Sequence, residues 1–120
     1  MLDQKIAHMK IGAEKIRVLL NNPVFGYLSS EQKQRIVHLV SIHDSLEELK
    51  DRDEFVLMEA DSLAVADSGA VRPTHSKEDY LTWLDYYETY RVPKFITDYS
   101  KEKVKTLLAH RAQWYLEHEN

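Results

Sequence analysis

The sequence contains no cysteine, which excludes disulfide bonds, thiol nucleophiles and cysteine-ligated zinc or iron–sulfur sites. Its three glycines and three prolines offer little material for the turns of a β-sheet protein. No apolar run approaches the length of a membrane-spanning helix, and the N-terminus lacks the apolar core of a signal peptide. We therefore expect a cytoplasmic protein without a substantial sheet.

The composition that is present suits one folded domain. Charged residues of both signs make up 30% of the chain and apolar residues 43%, which argues against disorder. The net charge of −4 argues against a dedicated nucleic-acid binder. Since period-2 runs of β-branched residues are missing as well, we predict an all-α fold. The predicted architecture is a single helical domain of residues 1–120, a bundle of four to five helices.

Apolar residues recur at helical spacing in three segments outside the centre of the chain. The first predicted helix runs from about Asp3 to Leu20, and its narrow apolar seam would also suit a homodimeric coiled coil. Another begins after Ser76 and ends before Pro93. The last runs from Pro93 to about residue 117, or restarts at Ser100 after a short turn.

A long central stretch, residues 30–67, reads as helix almost throughout and begins at a capping-box spacing, Ser29 and Gln32. One unbroken helix over this stretch would be roughly 55 Å long. A compact chain of this size has a diameter of only about 35 Å. We therefore predict a kink or break near 51–53, with Asp53 as a competent cap for the second part.

The predicted core collects the apolar residues on the inward stripes of these helices. It comprises Ile6, Met9, Ile16, Leu20, Ile36, Leu39, Leu46, Leu49, Leu57, Leu63, Leu84, Val104, Leu107, Leu108 and Tyr115. These positions follow the 3.6-residue period of a buried helix face.

The helix after Ser76 is the most unusual segment because it holds four of the seven tyrosines within a stretch of eleven residues. Two interpretations stay open: a half-buried core face, or a surface that binds another protein, since aromatic residues dominate interface hot spots. The candidate partner-binding residues are Tyr80, Trp83, Tyr86, Tyr87 and Tyr90. Acidic neighbours such as Glu88 would repel phosphate and disfavour stacking of nucleobases.

A second candidate surface is acidic and lies on the polar side of the central stretch. Its members are Asp44, Glu47, Glu48 and Asp51, on a face that also carries Glu54, Glu59 and Asp61. The plainer interpretation is a solvated face, and the sharper one is a surface for a partner with basic character. Our leading hypothesis is accordingly a non-enzymatic protein-interaction module, an inhibitor or regulatory protein, with a homo-oligomeric assembly protein as an alternative.

Arg111 and His118 project from one side of the last predicted helix, since they are seven residues apart. This pair resembles the motif of HEPN-type ribonucleases, helical domains whose dimer cleft cuts RNA. The resemblance implies that the arginine would hold phosphate and that the histidine would move a proton. An RNase that uses Arg111 and His118 is therefore the enzymatic alternative.

His38, His43 and Asp44 resemble part of an HD-type metal site. That family needs further histidine and aspartate ligands on other helices, and a spacing of five between His38 and His43 suits shared ligation poorly. His43 lies on the apolar stripe, where a hydrogen-bonded core histidine is the commoner outcome. We therefore expect no metal site and no cofactor.

Overall fold

The computed structural model describes residues 2–118, and every regular element within them is helical. The five α-helices are α1 (Leu2–Leu19), α2 (Ser30–Ile42), α3 (Arg52–Ala66), α4 (Lys77–Tyr86) and α5 (Asp98–Glu117). Short 3-10 turns lie at Pro23–Phe25, Leu46–Glu48 and Val92–Lys94, and a π-helical segment, Tyr87–Arg91, continues α4. The prediction of an all-α protein with four to five helices is confirmed. None of the described helices has the length and apolar character that crossing a membrane requires.

The chain forms two compact units, Met1–Glu54 and Phe55–Asn120, and the boundary falls in the first turn of α3. In the first unit α1 packs against α2, and Met9 of α1 and Leu20, the residue after α1, are buried. At Gly12 the two helices lie near van der Waals contact, since a Cβ there would be 3.4 Å from Cγ1 of Val40. The prediction of one domain is not tested by this division and stays a prediction.

The predicted break in the central stretch is confirmed, although it is longer than expected. Helix α2 ends at Ile42, and α3 begins only at Arg52, after the 3-10 turn. Asp53 is not the cap of α3. Instead the side chain of Glu54, in the first turn, accepts hydrogen bonds from the backbone N–H groups of Lys50 and Asp51 at 2.8 and 3.3 Å. These contacts satisfy backbone donors that a helix start leaves without intrahelical partners.

The hydroxyl caps predicted for two helices are present. Ser29 and Gln32 form a reciprocal capping box at the start of α2, and Ser76 accepts a hydrogen bond from the backbone of Asp79 at 3.1 Å. Of the two alternatives predicted for the last segment, the short turn followed by a new helix is the one observed. The cap of α5 is Thr97, whose side chain accepts a hydrogen bond from the backbone N–H of Ser100 at 3.2 Å.

The expectation of a solvated acidic face is wrong for two of its members. Glu54 and Glu59 are buried, and Glu59 is only 2% exposed. The carboxylate of Glu59 lies against the start of α5, where it accepts from the backbone N–H groups of Ile96 and Thr97. It also accepts from the hydroxyls of Thr97 and Ser100 at 2.9 and 3.2 Å. A buried carboxylate with four donors is stable because its charge is fully hydrogen-bonded.

The predicted core is confirmed in part. Met9, Leu20, Leu49, Val104, Leu107 and Tyr115 are buried, whereas Ile6 is exposed and the other predicted members are half-buried. The buried set also holds Met58, Ala66, Phe95, Tyr80 and Tyr87, which were not on the predicted list. Methionine and tyrosine on both flanks of a stripe can turn inward, and periodicity alone does not identify them.

Candidate functional site

The π-helical segment after α4 is anchored to α3 by two side chains that reach the same residue. The hydroxyl of Tyr87 donates to the backbone carbonyl of Ser62 at 2.7 Å, and Nε of Arg91 donates to the hydroxyl of Ser62 at 2.9 Å. Tyr87, Arg91 and Ser62 are all buried, and burial raises the pKa of Tyr87 to about 12. The segment is therefore held by contacts that lie inside the second unit.

Tyr86 and Tyr90 each come directly before one of the two anchored residues, Tyr87 and Arg91, and both lie on the outside. Tyr86 is 37% exposed and Tyr90 58% exposed, and their ring centroids are 5.3 Å apart. Thr82, four residues before Tyr86, is exposed as well. Positions four apart lie on the same side of a helical segment, so Tyr87 and Arg91 face inward together while Tyr86 and Tyr90 form an adjacent pair outside. π-Helical segments often occur at functional sites.

The remaining aromatic residues of α4 pack within the second unit. Tyr80 is buried and stacks on Tyr115 of α5 with a centroid distance of 4.1 Å, and burial raises the pKa of Tyr80. Trp83 is half-buried, 4.7 Å from the ring of Tyr87. The predicted partner-binding set therefore divides into an inner group and the exposed pair, Tyr86 and Tyr90. Partner binding itself stays a prediction.

Arg111 and His118, the candidate ribonuclease residues, occupy different environments. Arg111 is 4% exposed, donates from Nη1 to the carbonyl of Val65 at 2.9 Å, and lies 4.6 Å from the ring centre of Trp83. His118 is exposed, stacks on Trp114 and hydrogen-bonds its carbonyl at 2.8 Å. A buried guanidinium committed to a carbonyl and a ring does not present its donors to phosphate. This geometry gives the ribonuclease hypothesis no support.

Three carboxylates at the start of α3 form the one group of possible metal ligands in residues 2–118: Asp51, Asp53 and Glu54. A guanidinium already occupies this cluster, because Arg35 donates to Asp53 at 2.6 and 2.9 Å, to Asp51 at 3.1 Å and to Glu54 at 2.9 Å. The Lys50 amide lowers the pKa of Glu54, and Arg35 lowers that of Asp53. The cluster is thus a structural ion-pair network at a helix start.

The two central members of the predicted acidic surface are exposed, whereas the outer two are half-buried or ion-paired. Glu47 and Glu48 lie exposed in the 3-10 turn, Asp44 is half-buried, and the largely exposed Asp51 pairs with Arg35. Glu47 and Glu48 are therefore the members most accessible to a partner.

The histidines of the HD-type resemblance do not converge with a set of carboxylates. Nδ1 of His43 donates to the carbonyl of Val40 at 2.6 Å, so the expected hydrogen bond is present, although His43 is half-buried and not part of the core. Nε2 of His38 lies 3.6 Å from Glu54, within the Arg35 network. Neither His43 nor Asp44 belongs to the cluster of possible ligands found among the described residues.

Sequence reasoning missed the residues that support the exposed tyrosine pair, above all Ser62 and Arg91. Ser62 lies 25 and 29 positions before the two side chains that reach it. No local spacing in the sequence encodes such contacts. The one available signal was the high local density of tyrosines. It located the segment but did not show which of its tyrosines are buried and which are exposed.

Comparison with protein-family models found no family that matches this chain, and comparisons with curated proteins and with solved structures found no similar protein.

Proposed function

We propose that this chain is a non-enzymatic protein-interaction module that binds another protein through Tyr86 and Tyr90. The observation that carries the proposal is that these two rings are exposed and adjacent. The residues that follow them, Tyr87 and Arg91, are buried and hydrogen-bonded to Ser62. A tyrosine brings a large amphipathic contact area and loses few rotamers on binding. Tyrosine is also enriched in interface cores, where charged residues are depleted.

The anchoring supports this proposal because a rigid pair binds at a smaller loss of conformational entropy. Ser62, Tyr87 and Arg91 fix the backbone from which both exposed rings project. Preorganised contacts contribute more of their interaction energy to affinity than flexible ones. The placement therefore favours a binding role over a merely half-buried core face.

The acidic turn of the first unit adds a second, electrostatic part to the proposal. Glu47 and Glu48 lie exposed and next to each other in the Leu46–Glu48 turn. Surface charges of this kind accelerate and orient association more than they strengthen the final complex. We therefore propose a partner with a basic surface, whose association slows as salt rises.

Replacing both exposed tyrosines should abolish partner capture. We expect a tagged wild-type chain expressed in its native cells to retain a specific protein that Tyr86→Ala/Tyr90→Ala loses. Titration of that purified partner should show affinity about 1,000-fold weaker for the double variant, because two hot spots of about 2 kcal/mol each sum to about 4 kcal/mol. The matched control is Tyr27→Ala/Tyr99→Ala, because both control tyrosines are highly exposed elsewhere.

The proposal fails if both double variants retain the partner equally, or if the wild type retains none. Glu47→Lys/Glu48→Lys separates the electrostatic part, since we expect it to slow association about tenfold at low salt with a smaller effect on dissociation. Light scattering on the purified chain identifies the case in which the partner is a second copy of itself.

A further inference from the structure

An open groove of about 570 Å³ lies between α4 and α5 in the second unit. The wall on the α4 side runs from α4 through the π-helical segment to Val92, and α5 forms the other wall. Apolar residues dominate the lining, and Leu84, Val92 and Leu108 are only half-buried in the single chain. Covering these residues with another apolar surface removes them from water, which is favourable.

Both walls continue as apolar surface beyond the groove, at the end where α4 begins. Tyr80, near the start of α4, stacks on Tyr115, near the end of α5, so the two helices run in opposite directions. Leu81 and Leu116, the residues that follow these rings, therefore lie at the same level. Each lies one turn from a residue of the groove lining, on the same side of its helix. Leu81 is 55% exposed and Leu116 62% exposed.

The other end of the groove carries charges whose sign differs between the two walls. Glu88 lies on the α4 wall, whereas Lys101 and Lys105, one turn apart, lie on the α5 wall, and all three are exposed. Lys105 contacts Glu102 at 3.1 Å, but this exposed pair is weak and leaves further ammonium donors for a second acid. Each wall therefore has a leucine at one end and a charge at the other, acidic on one wall and basic on the opposite wall.

We propose that this face binds a second copy of the chain across a twofold axis that runs parallel to the groove. Rotation about this axis places the α4 wall of one copy opposite the α5 wall of the other, with every residue at its original level. Leu81 then meets Leu116 of the partner subunit. At the other end Glu88 meets Lys101 and Lys105 of the partner subunit. Because the interface is twofold, each of these contacts occurs twice.

The complementarity of the two walls identifies a second copy as the occupant. The four helices of two copies would form a four-helix bundle, with the half-buried apolar residues of both grooves in its core. Charged pairs beside such a core determine which helices meet and in which orientation. A twofold axis that ran across the groove would instead place each charged end against a leucine end. The parallel axis alone pairs acid with base and leucine with leucine.

Sedimentation equilibrium of the full chain tests the proposal. We expect a reversible monomer–dimer equilibrium, and we expect Leu81→Ser/Leu116→Ser to raise the dissociation constant of the dimer at least about tenfold, because each substitution enters the interface twice. The matched control is Val18→Ser/Leu19→Ser, which removes exposed apolar residues of α1 and should change the constant less than about twofold. A chain that stays monomeric at about millimolar concentration, or equal constants for the two variants, overturns the proposal.

Charge reversal on separate chains tests which walls meet. We expect Glu88→Lys alone and Lys101→Glu/Lys105→Glu alone to weaken dimerisation about tenfold, because each variant places like charges opposite each other. A mixture of the two variants should form a heterodimer about as stable as the wild type, since one contact is native and the other has both signs reversed. Asp85→Lys and Lys103→Glu, at exposed positions outside the lining, are the controls and should dimerise like the wild type. A mixture that stays monomeric overturns the pairing of the walls.

The Tyr86→Ala/Tyr90→Ala variant separates this dimer from the partner site proposed above. Tyr86 lies two residues from both Leu84 and Glu88, which places it on the other side of the helix from the groove lining. We therefore expect this variant to dimerise with the affinity of the wild type. Loss of the dimer in this variant would place the second copy on the exposed tyrosine pair and would overturn the groove interface.

Discussion

Replacing Glu59 with alanine should lower the free energy of unfolding by about 3–5 kcal/mol, because it strips four hydrogen-bond donors of their shared acceptor. Two of these donors are backbone N–H groups before α5, and two are the hydroxyls of Thr97 and Ser100. Thr97 is itself the cap of α5, so the substitution also loosens the cap. The loss of a negative charge near a helix start adds to the effect.

Glutamine at the same position should be milder, at about 1–2 kcal/mol, because its amide oxygen still accepts from the backbone while its NH2 group faces hydroxyls that can accept. The control is Glu102→Ala, an exposed acid on α5 whose removal should change stability by less than about 0.5 kcal/mol. Urea unfolding followed by far-ultraviolet circular dichroism measures all three. Equal stability of the Glu59→Ala and Glu102→Ala variants would show that the carboxylate does not hold the start of α5.

Replacing Arg111 with alanine should destabilise the second unit by about 2–4 kcal/mol. The long side chain fills the space beneath Trp83, and its Nη1 satisfies the carbonyl of Val65. Methionine should recover much of the lost packing, because it fills a similar space and removes a buried charge. Lysine should recover less, since an ammonium lacks the planar face that lies against the indole ring.

In a Trp114→Phe background, which leaves Trp83 as the single tryptophan, fluorescence offers a local readout of the Arg111 series during urea unfolding. The exposed Lys103 of α5 is the control, and Lys103→Ala should change stability by less than about 0.5 kcal/mol. If the Arg111→Ala variant were as stable as the wild type, Arg111 would make no contribution to the packing of the core. The same series bears on the ribonuclease hypothesis, because a residue that supports the fold can abolish activity without contacting RNA.

Local signals in the sequence predicted the local structure. The capping-box spacings that begin at Ser29 and Ser76 span four residues each; Ser29 forms the full capping box, and Ser76 caps α4 through its hydroxyl alone. The break in the central stretch was predicted by comparing the length of an unbroken helix with the diameter of the domain. This comparison predicts that a break occurs, but it does not predict the length of the break. Asp53 failed as a cap because Glu54 reaches back to Lys50 and Asp51 instead.

The structural features that the sequence did not predict depend on contacts between residues far apart in the chain. Glu59 reads as one more acid on a polar face until α5 is placed beside it, 37 to 41 positions later. Similarly, Tyr80 and Tyr87 are seven positions apart on one helix face and both are buried, but Tyr87 donates to Ser62, which lies 25 positions earlier in the chain. The identity of the tyrosines located the segment, but the anchoring on Ser62 decides which rings face outward.

The central claim is that the tyrosines of α4 and of the π-helical segment divide into an inner group and an exposed pair, which we propose binds a partner. Nitration of tyrosine in the folded protein, with each site quantified by mass spectrometry, tests it most directly. We expect Tyr86 and Tyr90 to react quickly and Tyr80 and Tyr87 to be protected, and we expect the captured partner to shield the first pair alone. Rapid nitration of Tyr80 and Tyr87, or a partner that leaves Tyr86 and Tyr90 as reactive as before, would contradict the account.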